Sequence, residues 1–179
     1  MSGSAVDRAR VGDGEGWREL YAAHAARLVV WLRTSESGDV AASAEDLAAE
    51  AWLVAAEKIG SFRGGDDDFA GWLFGIARNV AANARRRTRR RNTRATDPHH
   101  GSLDRLAPHP GVPGHLDRVR GLLDQLPTRE REVVACLEVV GLDVAATAAA
   151  LGISQAAVRV ARHRGLSRLR RGQPALATT

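Results

Sequence analysis

Four of the six prolines, Pro98, Pro108, Pro110 and Pro113, fall in one stretch, residues 95–115, together with Gly101, Gly111 and Gly114. Proline removes a backbone donor and blocks helix interiors, and glycine adds chain entropy that folding must overcome. No regular element is expected to run through such a stretch. Helical spacing is plentiful on both sides of it, whereas strand alternation and β-branched residues are thin. The chain is therefore predicted to be all-α: two small helical domains, residues 1–94 and 116–179, joined by a Pro/Gly-rich linker at 95–115.

In the first part, Trp17, Leu20, Tyr21, His24, Leu28, Trp31 and Leu32 follow an i, i+3, i+4 rhythm, which predicts a helix over 16–34. Ser43 with Asp46 three residues on reads as a capping box opening a helix over 44–59. One stripe of that helix holds Leu47, Ala51 and Val54; another holds Asp46, Glu50 and Glu57 with Leu53 among them. Residues 60–68 read as a loop by their glycines. Phe69, Trp72, Leu73, Ile76 and Val80 mark a third helix, which places Trp72 in the core. In the second part, helical pattern resumes at Leu116. Pro127-Thr128 stops one helix and starts the next, with Thr128 as N-cap and Val133, Val134, Leu137 and Val140 as the buried stripe.

Charge is unevenly spread. Residues 1–84 carry 8 basic and 13 acidic side chains, while residues 85–94 carry seven arginines and no acid. Residues 118–179 carry ten arginines against five acids, and Lys58 is the sole lysine of the chain. Basic blocks suit phosphate backbones, and the acidic part suits a basic protein partner. The single cysteine, Cys136, excludes an internal disulfide framework, fits a reducing cytosol and is expected to be semi-buried. No apolar run reaches membrane-spanning length and Met1–Gly16 holds no signal-type apolar core, so the expected location is the cytoplasm, without membrane insertion. His99, His100, His109 and His115 match no zinc spacing, and no catalytic arrangement or phosphate loop stands out. The chain is expected to need no cofactor or metal and not to be an enzyme.

The most specific local signal lies near the C-terminus. Val144–Leu151 reads as a short apolar helix, Gly152-Ile153 as a turn, and Ser154–Arg164 as a second helix with no acidic residue. That arrangement places a second helix in the DNA major groove. Ser154 can cap the helix start, and Gln155, Arg159, Arg162, His163 and Arg164 are candidates for bases or phosphates. A bundle with a solvated basic face is the competing explanation. Arg85-Arg86-Arg87-Thr88-Arg89-Arg90-Arg91 is less specific. It is a second nucleic-acid patch beside the aromatics of the third helix, suited to single-stranded DNA, a nuclear-type signal, or a solvated helix end. The acidic stripe Asp46, Glu50, Glu57 with exposed-looking Leu53 is either a solvated face or a docking surface.

At these residues the chain resembles the extracytoplasmic-function, or group IV, sigma factors of bacterial RNA polymerase. Ala44-Glu45-Asp46-Leu47-Ala48-Ala49-Glu50 and Gly71-Trp72-Leu73-Phe74-Gly75-Ile76-Ala77-Arg78-Asn79 resemble sigma region 2. Leu126-Pro127-Thr128-Arg129-Glu130-Arg131-Glu132-Val133, then Leu151-Gly152-Ile153-Ser154, Val158 and Arg164, resemble region 4. The resemblance implies that Asp46, Glu50, Leu53 and Glu57 bind the clamp helices of the polymerase β′ subunit. It implies that the 60–68 loop with Arg63, Arg78, Asn79, Arg85, Arg86 and Arg87 opens and reads the promoter −10 element. Region 4 would read the −35 element as duplex through Ser154, Gln155, Arg159, Arg162, His163 and Arg164, and would touch the β flap. An anti-sigma factor is an implied regulatory partner. A stand-alone helix-turn-helix regulator that binds duplex DNA without polymerase is the alternative.

The sequence departs from the family pattern in places. Ala49 stands where the family has Gln, Ala146-Thr147-Ala148 where it has Glu-Ile-Ala, and Gly165 where it has Ala. Thr147 is expected to weaken the second domain, and the Asp66–Asp68 run is unexpected beside DNA.

Overall fold

The computed structural model describes residues 3–35, 42–94 and 114–172. Among these there are helices and turns and no strand. The helices are α1 (Ala5–Arg10), α2 (Gly14–Ser35), α3 (Ala44–Lys58) and α4 (Asp66–Arg94), then α5 (His115–Leu123), α6 (Thr128–Val134), α7 (Val144–Leu151) and α8 (Gln155–Gly172). The predicted linker and its His99, His100 and His109 lie outside the described residues up to position 113. Gly114 and His115 already belong to the start of α5.

Helices α1–α4 form the first bundle. Trp31, Phe69, Phe74, Leu28, Leu32 and Leu73 are fully buried between α2, α3 and α4. Each such side chain removed from water is worth about 1.5–3 kcal/mol. Rings meet at tilted angles, Trp31 on Phe74 at 5.5 Å and Phe62 edge-on to Phe69 at 6.1 Å. The Ser43 hydroxyl accepts from the Asp46 N–H at 3.1 Å and the Asp46 carboxylate accepts from the Ser43 N–H at 3.3 Å, so the capping box forms as the spacing predicted.

Four expectations need correction. The 60–68 stretch is not all loop: a 3-10 turn covers Ile59–Ser61, and Asp66, Asp67 and Asp68 form the first turn of α4. Acidic side chains at that end complement the helix dipole. Thr128 is the first residue of α6 rather than its cap, which is Pro127. Cys136 is wholly buried rather than semi-buried. It sits in a π-helical segment, Ala135–Val139, that continues α6. Trp72 is only half-buried: it stacks on Phe62 at 4.6 Å and keeps part of its surface in contact with solvent.

The second bundle, α5–α8, packs directly on the first, and the buried residues of both join one continuous core. The seam runs between α4 and α7. A Cβ on Gly71 would lie 2.9 Å from the Ala146 carbonyl oxygen and 2.9 Å from the Ala149 Cβ, so only glycine lets the helices approach this closely. Gly75, one turn on, lies over Ala150. Polar contacts lock the seam's flanks. Arg27 donates from Nε to the Val140 carbonyl at 2.8 Å and from Nη2 to the Gly141 carbonyl at 2.9 Å. Arg78 pairs with Glu132 at 3.3 Å.

Candidate nucleic-acid interface

The helix-turn-helix is built from local chemistry. Asp143 caps α7 by accepting from the Ala146 N–H at 2.7 Å. Gly152 ends α7 in the left-handed region, φ +65°, which a residue without a side chain adopts at little cost. The Ser154 hydroxyl accepts from the Ala157 N–H at 3.2 Å and so caps α8. The two helices meet at 100°, within the range of DNA-binding helix-turn-helix units.

Helix α8 buries Val158, Ala161 and Gly165. A Cβ on Gly165 would stand 2.8 Å from Val134 Cγ2, so glycine at this position lets α8 seat against α6. The opposite side is exposed and carries Ala156, Arg159, Val160, His163 and Arg164. The predicted candidates do not behave alike. Arg159 and Gln155 reach each other, Nη2 to Oε1 at 3.3 Å. Arg162 is turned back onto Glu138, Nε to Oε1 at 2.6 Å. His163 and Arg164 stand free at the surface. Arg168, beyond the predicted set, pairs with the buried Glu130 at 2.9 Å.

The candidates in the first domain are spread along α4 and the turn before it. Arg63 is exposed and donates to the Gly60 carbonyl at 3.2 Å. Asn79 is exposed, whereas Arg78 is half-buried in its ion pair with Glu132. Arg86 and Arg87 are exposed and Arg85 is half-buried, on the helical extension to Arg94. Phe62, Arg63, Asp67, Asp68 and Trp72 line a cleft of about 490 Å3, whose other wall is Ala145, Ala146 and Ala149 of the second domain. Asp66 does not face this cleft. Its carboxylate accepts from the Ala5 N–H at 3.1 Å and the Val6 N–H at 2.9 Å, capping α1. Its desolvation opposes ionisation, but these backbone donors outweigh that and hold the carboxyl below its ordinary range.

A second surface lies between α2 and α3. Trp17, Tyr21, Val29, Ala49, Trp52 and Leu53 line an apolar groove of about 930 Å3. Leu53 is 67% exposed and Tyr21 57% exposed, large values for side chains of this type. Asp46, Glu50 and Glu57 are exposed on the adjoining flank of α3. Sequence periodicity pointed to Leu53 and missed the groove, since Trp17 and Tyr21 read as core positions of α2.

Two further titratable groups, the half-buried His24 and the buried Cys136, complete the electrostatics. His24 packs on Phe69 at 5.6 Å, and burial, then Arg27, push its pKa below the ordinary value against a weaker pull from Asp66. Cys136 lies beside the Trp31 indole and its thiol is pushed up to about 12 by burial. A thiol so protonated is inert while it stays buried. Among the described residues no three His, Cys, Asp or Glu side chains gather as a metal site, and no single helix is long and apolar enough to cross a membrane.

Sequence-family models match both domains: Sigma-70 region 2 over residues 20–91, and Sigma-70, region 4 over residues 116–169. The sigma factor SigD of Mycobacterium tuberculosis is 34% identical over 131 residues, which is 72% of this chain and 62% of that protein. The chain thus matches less than two thirds of the length of its mycobacterial relatives. SigF of Caulobacter vibrioides is 34% identical over 158 residues, covering 88% of this chain and 86% of that one. Both are named ECF RNA polymerase sigma factors. Two solved structures share the fold. CnrH, in complex with the cytosolic domain of CnrY, superposes with a TM-score of 0.68 at 24% identity over 93% of each chain. RpoE from Bartonella quintana, in complex with the anti-sigma factor NepR, gives 0.65 at 23% identity over 88% of this chain and 95% of that chain. With two matching regions in the family's order and a relative matched over most of both chains, the protein belongs to the extracytoplasmic-function RNA polymerase sigma factors.

Proposed function

We propose that this protein directs RNA polymerase to specific promoters. The observation that carries the proposal is the pairing, in one chain, of a region 2 unit bearing an apolar groove with an acidic flank and a region 4 unit whose basic helix α8 faces solvent. In this reading residues 1–94 form the unit that binds core polymerase and the −10 element. Leu53, Asp46, Glu50 and Glu57 face the β′ clamp helices, and Arg63, Arg78, Asn79 and Arg85–Arg87 serve the −10 strand. Residues 116–179 read the −35 element through α8 and touch the β flap. The polymerase does the chemistry and the protein none. It works in the cytoplasm, with no bound cofactor. An anti-sigma partner is part of the proposal, because RpoE is solved with the anti-sigma factor NepR and CnrH with the cytosolic domain of CnrY.

Engaging both promoter elements requires the seam to part. Elements centred at −10 and −35 lie about 85 Å apart along B-form DNA, at about 3.4 Å per base pair. In the closed arrangement α4 and α7 touch. The twenty residues 95–114 can span about 70 Å when extended, which together with the width of the domains covers the gap.

The test is run-off transcription with purified core polymerase on fragmented host DNA, with and without the protein. Discrete start sites that need the protein support the proposal. Specific duplex binding by the protein alone, with no initiation, would support the stand-alone regulator instead. Binding through phosphates further predicts that log affinity falls linearly with log salt concentration.

A further inference from the structure

One large apolar side chain stands on the exposed side of α8. Val160 is 49% exposed, yet it is β-branched and apolar. Such a residue lowers helix propensity slightly, and burial is what normally compensates. The packing stripe Val158, Ala161 and Gly165 lies on the other side of the helix.

The polar neighbours of Val160 define what it can meet. Residues 155–172 hold no acid, so the face suits a polyanion. Arg162 is held against Glu138 and so is turned away from that face. Gln155 is engaged by Arg159. The outward side that remains is Ala156, Arg159, Val160, His163 and Arg164, all exposed. In the major groove the apolar group that a base pair displays is the C5-methyl of thymine, while a guanine beside it offers O6 and N7 to an arginine fork.

We infer that Val160 is a specificity-determining residue of α8, whose isopropyl group packs on a thymine methyl next to the base pair read by Arg159. The inference rests on the proposed DNA-reading role of α8 and goes further by fixing one base of the element. It assigns Arg162 to orienting the helix against Glu138 rather than to a base edge.

The experiment removes single methyl groups from the DNA. The start sites found by run-off transcription supply the duplex upstream element. Each thymine of that element, on either strand, is replaced in turn by deoxyuridine, which deletes only the C5-methyl. Initiation is then measured with the full chain on core polymerase at subsaturating promoter. The expected result is a loss of about fourfold at one thymine, the value of one buried methyl-sized group. Val160→Ala should lower initiation on the native promoter by a similar factor and abolish the thymine–deoxyuridine difference at that position alone. This variant is safe for folding, since alanine is the better helix former. Insensitivity at every thymine overturns the inference, as does an undiminished deoxyuridine effect in Val160→Ala. A Val160→Ala loss that is equal on thymine and deoxyuridine templates also overturns it and points to a protein contact. If the chain never initiates, the polymerase role fails separately. The same substitutions are then read as duplex affinity of the protein alone, on a sequence selected by binding, with the same outcomes deciding.

Discussion

Helices α4 and α8 are both long, both basic and both offered to DNA by the sequence, yet they are held in opposite ways. Helix α4 spends its middle on the rest of the molecule. Gly71 and Gly75 lie against α7, Arg78 is paired with Glu132, and the aromatic pair Phe62–Trp72 faces a cleft walled by the other domain. Helix α8 packs its inner stripe, pairs Arg162 and Arg168 with glutamates, and leaves Arg159, Val160, His163 and Arg164 exposed. Positive charge alone does not make an interface. What distinguishes the two helices is how much of each is packed against the rest of the molecule. On that ground α8 is ready to bind as it stands, and α4 becomes fully available only when the seam parts.

The comparison can be broken first at α8. Arg159→Ala should cost about 1–3 kcal/mol of promoter recognition and relax preference at one base pair, as for an arginine that reads a base edge. Arg162→Ala should cost under about 1 kcal/mol, as for a half-exposed ion pair, and leave base preference unchanged. Initiation assays on a promoter library check both, and equal losses would erase the distinction between the outward-facing Arg159 and the ion-paired Arg162. The next test is at α4. Gly71→Leu inserts a side chain where even a Cβ is 2.9 Å from the Ala146 carbonyl oxygen. It should part the domains and raise the labelling rate of Cys136 by roughly tenfold or more, since an overpacked contact of this kind costs about 1–3 kcal/mol. Cys136 reports well because it is the only thiol and is buried against Trp31 across the seam.

A smaller effect is expected in α7, which lies between the two. Thr147 is wholly buried and its hydroxyl has no hydrogen-bond partner. Thr147→Val keeps the shape and removes the unpaired group, so it should raise the second domain's thermal stability by about 1 kcal/mol. The smallest effect concerns pH and should touch the first domain only. The pKa of His24 is lowered in the folded state, so below its unfolded value of about 6.5 the unfolded chain binds the extra proton first. Stability is full above that pH and declines as pH falls through it. Denaturant midpoints of the whole chain at pH 7.5 and 5.5 should show this slope, and His24→Gln should flatten it. His163, the histidine of α8, is exposed and provides no comparable buried site.

Local chemistry made much of this legible in the sequence. Ser43 with Asp46, Gly152 and Ser154 each act within four residues of themselves, and each does in the structure what its spacing predicted. Elements that depend on distant partners were hidden. Helix α1 has six residues, too few to stand alone; besides its local cap Ser4, the carboxylate of Asp66, about sixty positions away, accepts from its first two N–H groups. The same carboxylate explains an acidic run that looked misplaced beside DNA. The π-helical segment at Ala135–Val139 has no local signature in the sequence. The pairing of Arg78 and Arg162 with glutamates could not be read from a pattern that showed only which residues were basic.

The tight turn at Gly152 has a mechanical consequence. Three residues join α7 to α8 at a fixed 100°, so the two helices move as one bent lever. One arm rests on Gly71 and Gly75; the other, 18 residues or about 27 Å long, carries the exposed arginines. A tilt of ten degrees in the resting arm swings the far tip by about 5 Å, more than one base-pair step of about 3.4 Å. How α7 is seated on the first domain thus sets where α8 points.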